Sequence, residues 1–258
     1  MKFKKCCGVK LPRERIVLVG SPVPLSGLHY DKDKMEFTGI ADDGILIPPK
    51  AVISQSQYIG QSGKEKVISR VQDKVIANEA DLHRHLTSSF DLVIGVDTNT
   101  RKIGNDDISA TYVIHCDIQG ISEDGYCNVE FPNHGVILFR NCPHDLHPEK
   151  FGWMQTIKEL YIDPQNKGKR IGIITDHDMN NHKSYTERKM PIYKDICMPG
   201  NVSLLYGRGD GASDSILNSI VRLCNKKANE VLDYIQSNGC YEQGNIKILI
   251  NQIYEPTT

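Results

Sequence analysis

Asp91-Leu-Val-Ile-Gly-Val-Asp-Thr-Asn-Thr100 is a short apolar run bounded by turn residues, and it ends on a carboxylate at Asp97. Such a run reads as a buried strand. Burying an Asp is costly unless it is paired, capped or holding a cation. Arg170-Ile-Gly-Ile-Ile-Thr-Asp-His-Asp178 repeats the pattern, with Asp176 at the end of its apolar run. Two apolar strands that each discharge into an acid organise the reading of the chain.

Working outward from Asp97, residues 101–107 are polar and read as a turn, and residues 108–118 are β-branched and aromatic, which favours a strand. Glu123-Asp-Gly125 makes another turn, and residues 127–131 with 136–139 form the next extended stretch. Strands joined by short turns predict an antiparallel meander of three. Pro148 suits the first position of a helix. Trp153, Met154, Ile157, Leu160 and Tyr161 then recur at helical spacing until Asp163-Pro164 stops the run. A strand over 171–175, a long polar loop over 177–194 and a short strand over 202–206 follow. The clearest helix spans 214–235, with Ile216, Leu217, Ile220, Val221, Cys224, Ala228, Val231, Leu232 and Ile235 as its apolar stripe. Asn238-Gly239 is its stop signal. Residues 245–250 read as a last strand or a short helix.

Upstream, residues 15–20 read as a strand, 35–49 as a hairpin turning at Asp42-Asp43-Gly44, and 51–58 as a further strand. Residues 1–89 therefore read as a β-rich N-terminal region, with His83 and His85 on its surface, and residues 90–258 as an α/β domain. The formal net charge of −1 excludes a generally basic surface, but it leaves room for a local basic patch. The start lacks an apolar signal segment, and no run reaches the roughly 18 apolar residues of a membrane span. These features predict a soluble, cytoplasmic protein whose eight cysteines, with no CxxC among them, are ordinary packing residues. Cys142, His144 and His147 have zinc-ligand spacing, without an evident fourth ligand.

Acids stand at four element boundaries: Asp97, Glu149 in the first turn of the first helix, Asp176, and Asp214 at the start of the last helix. At about 100° per residue, Glu149 lies roughly 80° from the centre of its helix's apolar stripe, and Asp214 lies similarly on its own. Both border a buried face, whereas Glu159 falls on the solvent side. Each acid also has a structural reading, because strand-end Asp residues cap turns and first-turn acids are favoured by the helix dipole.

The order of three meandering strands, helix, strand, strand, helix, with acids at these four points, resembles the ribonuclease H-like superfamily over residues 90–235. The resemblance implies a mixed sheet in which the first and fourth strands lie side by side, so that their terminal acids converge. It further implies a divalent-metal-dependent nuclease using Mg²⁺ or Mn²⁺, with Asp97 bridging two ions and Glu149, Asp176 and Asp214 completing their coordination. Two hard ions about 3.5–4 Å apart suit phosphodiester cleavage, and carboxylates suit such ions. Lys183, Arg188 and Lys189, in the loop after Asp176, are placed to hold the phosphate backbone of a nucleic acid, DNA, RNA or hybrid, as an exposed flap. The competing class is a non-catalytic nucleic-acid-binding or assembly subunit of the same fold, and a protein partner delivering substrate is compatible with either. Asp97-Thr-Asn99 and Thr175-Asp-His-Asp178 are also similar to motifs of PIN-domain nucleases, although those place a helix after the first acid. Gly95-Val-Asp-Thr-Asn-Thr100 also resembles the phosphate strand of actin-like ATPases, which normally use two such domains.

Overall fold

The structure is a computed structural model, and it describes residues 16–18, 29–31, 36–38, 58–59, 65–66, 79–121, 127–176, 181–207 and 216–256. Strands β1 (Ile16–Leu18), β2 (His29–Asp31), β3 (Glu36–Thr38), β4 (Tyr58–Ile59) and β5 (Glu65–Lys66) precede helix α1 (Glu79–Ser89). Then come β6 (Leu92–Ile103), β7 (Asp106–Ile121), β8 (Cys127–Glu130), β9 (His134–Arg140), α2 (Pro148–Ile162), β10 (Ile171–Asp176), α3 (His182–Thr186), β11 (Val202–Gly207), α4 (Ile216–Asn238), β12 (Cys240–Gln243) and β13 (Ile246–Leu249). The turn expected at Asp42-Asp43-Gly44 and most of the strand expected over 51–58 lie outside the described residues.

The domain is α/β, built on one mixed sheet in the order β1-β9-β7-β6-β10-β11, with β8 paired to β7 off that path. β6, β7 and β9 run antiparallel as the expected meander, while β10 lies parallel to β6 and β11 parallel to β10. β1 adds in parallel to β9. The strand at residues 16–18 thus belongs to the same sheet as the strands after residue 90. Leu86 of α1 is also fully buried in the core beneath that sheet. The α/β body therefore reaches back past the expected boundary at 89/90.

Alternation along β6 sorts its side chains between two layers. Ile94 and Val96 face the cluster formed with Phe151, Trp153, Met154 and Ile157 of α2. Val93 faces the opposite cluster, with Ile220, Val221 and Cys224 of α4. The whole stripe expected on the last helix is buried, and Gly239, at φ +70°, ends that helix at the expected stop. Each fully buried Ile or Leu of that stripe contributes about 1.5–3 kcal/mol relative to exposure. Two glycines bring the helices close. A Cβ on Gly95 would lie 2.4 Å from Ile220 Cγ2 of α4, and one on Gly152 would lie 2.5 Å from Thr111 Oγ1 and 2.6 Å from Thr98 Oγ1. Both helices are thus seated tightly on β6 on either side of Asp97.

The structure corrects two expectations. β6 does not end at Asp97: it continues to Ile103, paired with β7 along its full length, and the turn is confined to Gly104-Asn105. Polar residues after Asp97 are tolerated because this part of β6 projects past the paired length of β10 and becomes the edge of the β6-β7-β9 meander. The segment after β10 is also not an exposed flap. It contains α3 and buries Tyr185, Ile192, Tyr193, Ile196, Cys197 and Met198 in the α2-side core. Residues 245–250 resolve as strand β13 followed by a single 3₁₀ turn. Among the described residues, no helix is long and apolar enough to cross a membrane. Cys116, Cys142, Cys224 and Cys240 are free thiols, and burial pushes those of Cys116, Cys142 and Cys224 up, Cys142 to about 12, as befits packing residues.

Candidate functional site

The register between β6 and β10 brings the two strand acids together. Ile171 pairs with Leu92 and Ile174 with Gly95. Continuing two residues further sets Asp176 level with Asp97, and alternation puts both on the α4 side of the sheet. The start of this register is locked by a two-pronged ion pair. Arg170 donates from Nη2 to Asp91 Oδ1 at 2.7 Å and from Nε to Asp91 Oδ2 at 3.0 Å, and its backbone N–H reaches the same Oδ2 at 2.8 Å. Asp97 stands six residues after Asp91, and Asp176 six after Arg170 (97 − 91 = 176 − 170). A lock at one end of the strand pair thereby aligns the acids at the other.

Asp97 is 3% exposed. Asn99 Nδ2 donates to its Oδ2 at 3.0 Å and also reaches the Asn225 carbonyl of α4 at 3.4 Å, which ties the acid to that helix. Asp176 is half-buried at the end of β10. Its carbonyl oxygen accepts from His182 Nε2 at 2.9 Å, so that nitrogen carries the proton. His182 stacks on Tyr206 with ring centroids 5.1 Å apart. The chain leaving Asp176 is therefore held at its next helix.

Glu149 enters from the other side of the sheet. Pro148 occupies the first turn of α2, and His147 caps it, with Nδ1 accepting from Glu149 N at 3.2 Å. Burial and the nearby Lys150 charge lower the His147 pKa, in keeping with a neutral, accepting imidazole. The Glu149 side chain points inward and is 5% exposed, beyond the border position the helical wheel assigned. Its Oε1 accepts from Thr175 Oγ1 at 2.5 Å and Trp153 Nε1 at 3.1 Å, and its Oε2 from Thr98 N at 3.2 Å. Trp153 Nε1 also donates to Thr175 Oγ1 at 3.1 Å. Burial is the main cause that pushes the Glu149 carboxyl up to about 7. The three donors oppose the rise, and the charge of Asp176 adds to it.

Of the four expected acids, Asp97 and Asp176 lie two residues beyond the paired stretch of β6 and β10, and Glu149 bonds to their neighbours Thr98 and Thr175. Asp214 and Asp178 lie outside the described residues. Glu159 is not on a solvent face: its side chain keeps 22% exposure and lies 3.5 Å from Lys158 Nζ, because α2 is enclosed on more sides than its apolar stripe. The zinc-like spacing resolves into local structure, with His147 as a helix cap and Cys142 Sγ donating to the Leu146 carbonyl at 3.3 Å. Among the described residues, no group of three His, Cys, Asp or Glu side chains is placed to hold a metal ion. Lys189 is 71% exposed and paired with Glu187 at 2.6 Å, Arg188 takes a left-handed backbone at φ +57°, and Lys183 lies on α3. Sequence reasoning missed Thr98, Asn99, Trp153, Thr175 and His182. The signal present was their adjacency to the acids at strand and helix spacing. No protein-family model, curated protein or solved structure matches this chain.

Proposed function

We propose that this chain is a ribonuclease H-like, divalent-metal-dependent nuclease in which Asp97 and Asp176 form the working acid pair. The observation that carries the reading is the parallel pairing of β10 with β6 over Ile171–Ile174 and Leu92–Gly95, which, extended two residues by strand alternation, directs Asp176 and Asp97 to one face. The sheet order β9-β7-β6-β10-β11, with α2 and α4 on opposite faces, supports it as the topology the resemblance implies. The donor chemistry fits Mg²⁺ or Mn²⁺, because two aspartates offer hard carboxylate oxygens on one face. Bound there, such an ion neutralises charge on a phosphodiester and lowers the pKa of water. The chain's own part is to hold the two carboxylates in place: Asn99 fixes the rotamer of Asp97, and the His182 contact fixes the chain at Asp176. Asp214, two residues before Ile216 in the sequence, is proposed as a further acid of the same site.

The test is cleavage of labelled single-stranded, duplex and hybrid nucleic acids with Mn²⁺, run beside a binding measurement. Cleavage of at least one substrate is expected. Binding without cleavage on every substrate would favour the non-catalytic assembly subunit instead.

Two further outcomes are expected. Mn²⁺ raises the melting temperature by binding the folded state preferentially, and Asp97→Asn removes most of that rise. Identical calorimetric responses of wild type and variant would leave the acids without an ion. Replacing Lys183, Arg188 and Lys189 together by Ala weakens nucleic-acid binding. At roughly 0.7–0.9 per neutralised phosphate, the salt slope flattens by about one to two units, since Glu187 already partly neutralises Lys189. Parallel salt titrations for the two proteins would remove these residues from substrate capture.

A further inference from the structure

We infer that Glu149 is a positioning residue, a buried clamp that holds the middle of β6 and the end of β10 at the spacing Asp97 and Asp176 need, rather than a third metal ligand. The inference deepens the nuclease reading and rests on it for the role of the two aspartates. It stands on what the carboxylate touches. Oε2 receives the backbone N–H of Thr98, the residue after Asp97, and Oε1 receives the hydroxyl of Thr175, the residue before Asp176. One side chain therefore bridges the immediate neighbours of both acids, one on each strand.

The sheet explains why a bridge is needed. β10 pairs with β6 only over Leu92–Gly95, so beyond Gly95 backbone groups on that edge lose their strand partner. A buried N–H without an acceptor is costly. At Thr98 the carboxylate of Glu149 replaces the missing strand carbonyl. Trp153 Nε1 closes the arrangement by donating to both Glu149 Oε1 and Thr175 Oγ1. The tight seat of α2 at Gly152, against Thr98 and Thr111, keeps the helix from backing away. Both oxygens are thus engaged inside the protein, Oε1 by two donors and Oε2 by the Thr98 N–H.

The clamp and the ligand readings diverge on one substitution. Glu149→Gln retains a carbonyl oxygen for Thr98 N–H, and its amide N–H₂ can donate to Thr175 Oγ1, which then acts as acceptor. A clamp tolerates this change; a ligand does not, because an amide lacks the anionic oxygen. Glu149→Ala removes the bridge entirely, and Thr175→Val removes it from the β10 side without touching the carboxylate. Thr175→Ser restores the hydroxyl.

The experiment measures two things on the full chain: hydrogen exchange of the Thr98 amide without metal, and calorimetric Mn²⁺ affinity. Glu149→Gln and Thr175→Ser are expected to exchange Thr98 no more than about threefold faster than wild type and to keep Mn²⁺ affinity within about threefold. Glu149→Ala and Thr175→Val should speed Thr98 exchange and weaken Mn²⁺ binding, each at least tenfold. Should Glu149→Ala fold poorly, Thr175→Val carries the comparison alone. Loss of Mn²⁺ affinity in Glu149→Gln comparable to that in Asp97→Asn would overturn the clamp in favour of a ligand. Unchanged Thr98 exchange in Thr175→Val would overturn it as well, as would lowered stability in these variants with Mn²⁺ affinity intact. A wild type that binds no Mn²⁺ would sink the nuclease reading, while Thr98 exchange in Glu149→Ala and Thr175→Val would still decide the clamp.

Discussion

Asp97→Asn and Asp176→Asn each lower Mn²⁺-dependent cleavage by about 1,000-fold, roughly 4 kcal/mol of barrier, while nucleic-acid binding stays level or tightens. The size of the loss follows from what the two carboxylates share. The parallel pairing of β10 with β6 stops at Ile174 and Gly95, two residues before each acid, and strand alternation directs both to one face. Replacing either by an isosteric amide removes an anionic oxygen without removing bulk. The fold is expected to persist in Asp97→Asn, since the carbonyl oxygen of the new amide still accepts from Asn99 Nδ2 as the carboxylate does. Binding is maintained because a negative charge opposing the phosphate has gone. Cleavage rates and affinities measured on the same preparation separate the two effects. Wild-type rates in both variants would return Asp97, in mid-strand, and Asp176, at a strand end, to structural roles only.

The second large effect is on stability, and it runs opposite to that of most carboxylates. Burial holds the Glu149 carboxyl at about 7 in the folded protein, against an ordinary value of 4.5. Because the folded state keeps the proton more tightly, the associated stability is fully present below the unfolded value near 4.5. It is lost as pH rises through about 7. At 1.36 kcal/mol per pKa unit the loss is roughly 3 kcal/mol, a sizeable part of the ~5–15 kcal/mol of a typical domain. Glu149→Gln, which cannot ionise, is expected to flatten the profile and to exceed the wild type in stability near pH 8. Urea unfolding at metal-free pH steps between 4.5 and 8 checks this. A wild type that gains stability over the same range would show that Glu149 is ionised throughout and stabilised by its three donors.

The linear pattern of residues determined a great deal of this protein. The three-strand meander, the Pro148 start and Asp163 stop of α2, the buried stripe of α4 and its end at Gly239 all follow from local rules: hydrophobic period, turn chemistry and backbone preference. These act over a few residues, so they are written in the chain itself. Asp97, Glu149 and Asp176 stood out for the same reason, being acids set against apolar runs. Tertiary structure decided what those acids face. Asp97 lies mid-strand because β7 pairs with β6 far beyond the point where β10 stops, and strand length is set by the partner rather than by the strand's own composition. The segment after Asp176 is packed because Tyr185, Ile192, Tyr193 and Ile196 find the α2 side of the sheet, which a polar average over the loop conceals. Glu149 turned inward because Thr98 N–H, Thr175 Oγ1 and Trp153 Nε1 converge on it from three elements. No helical wheel contains that convergence, since hydrogen-bond donors brought together from distant positions exist only once the strands are in register.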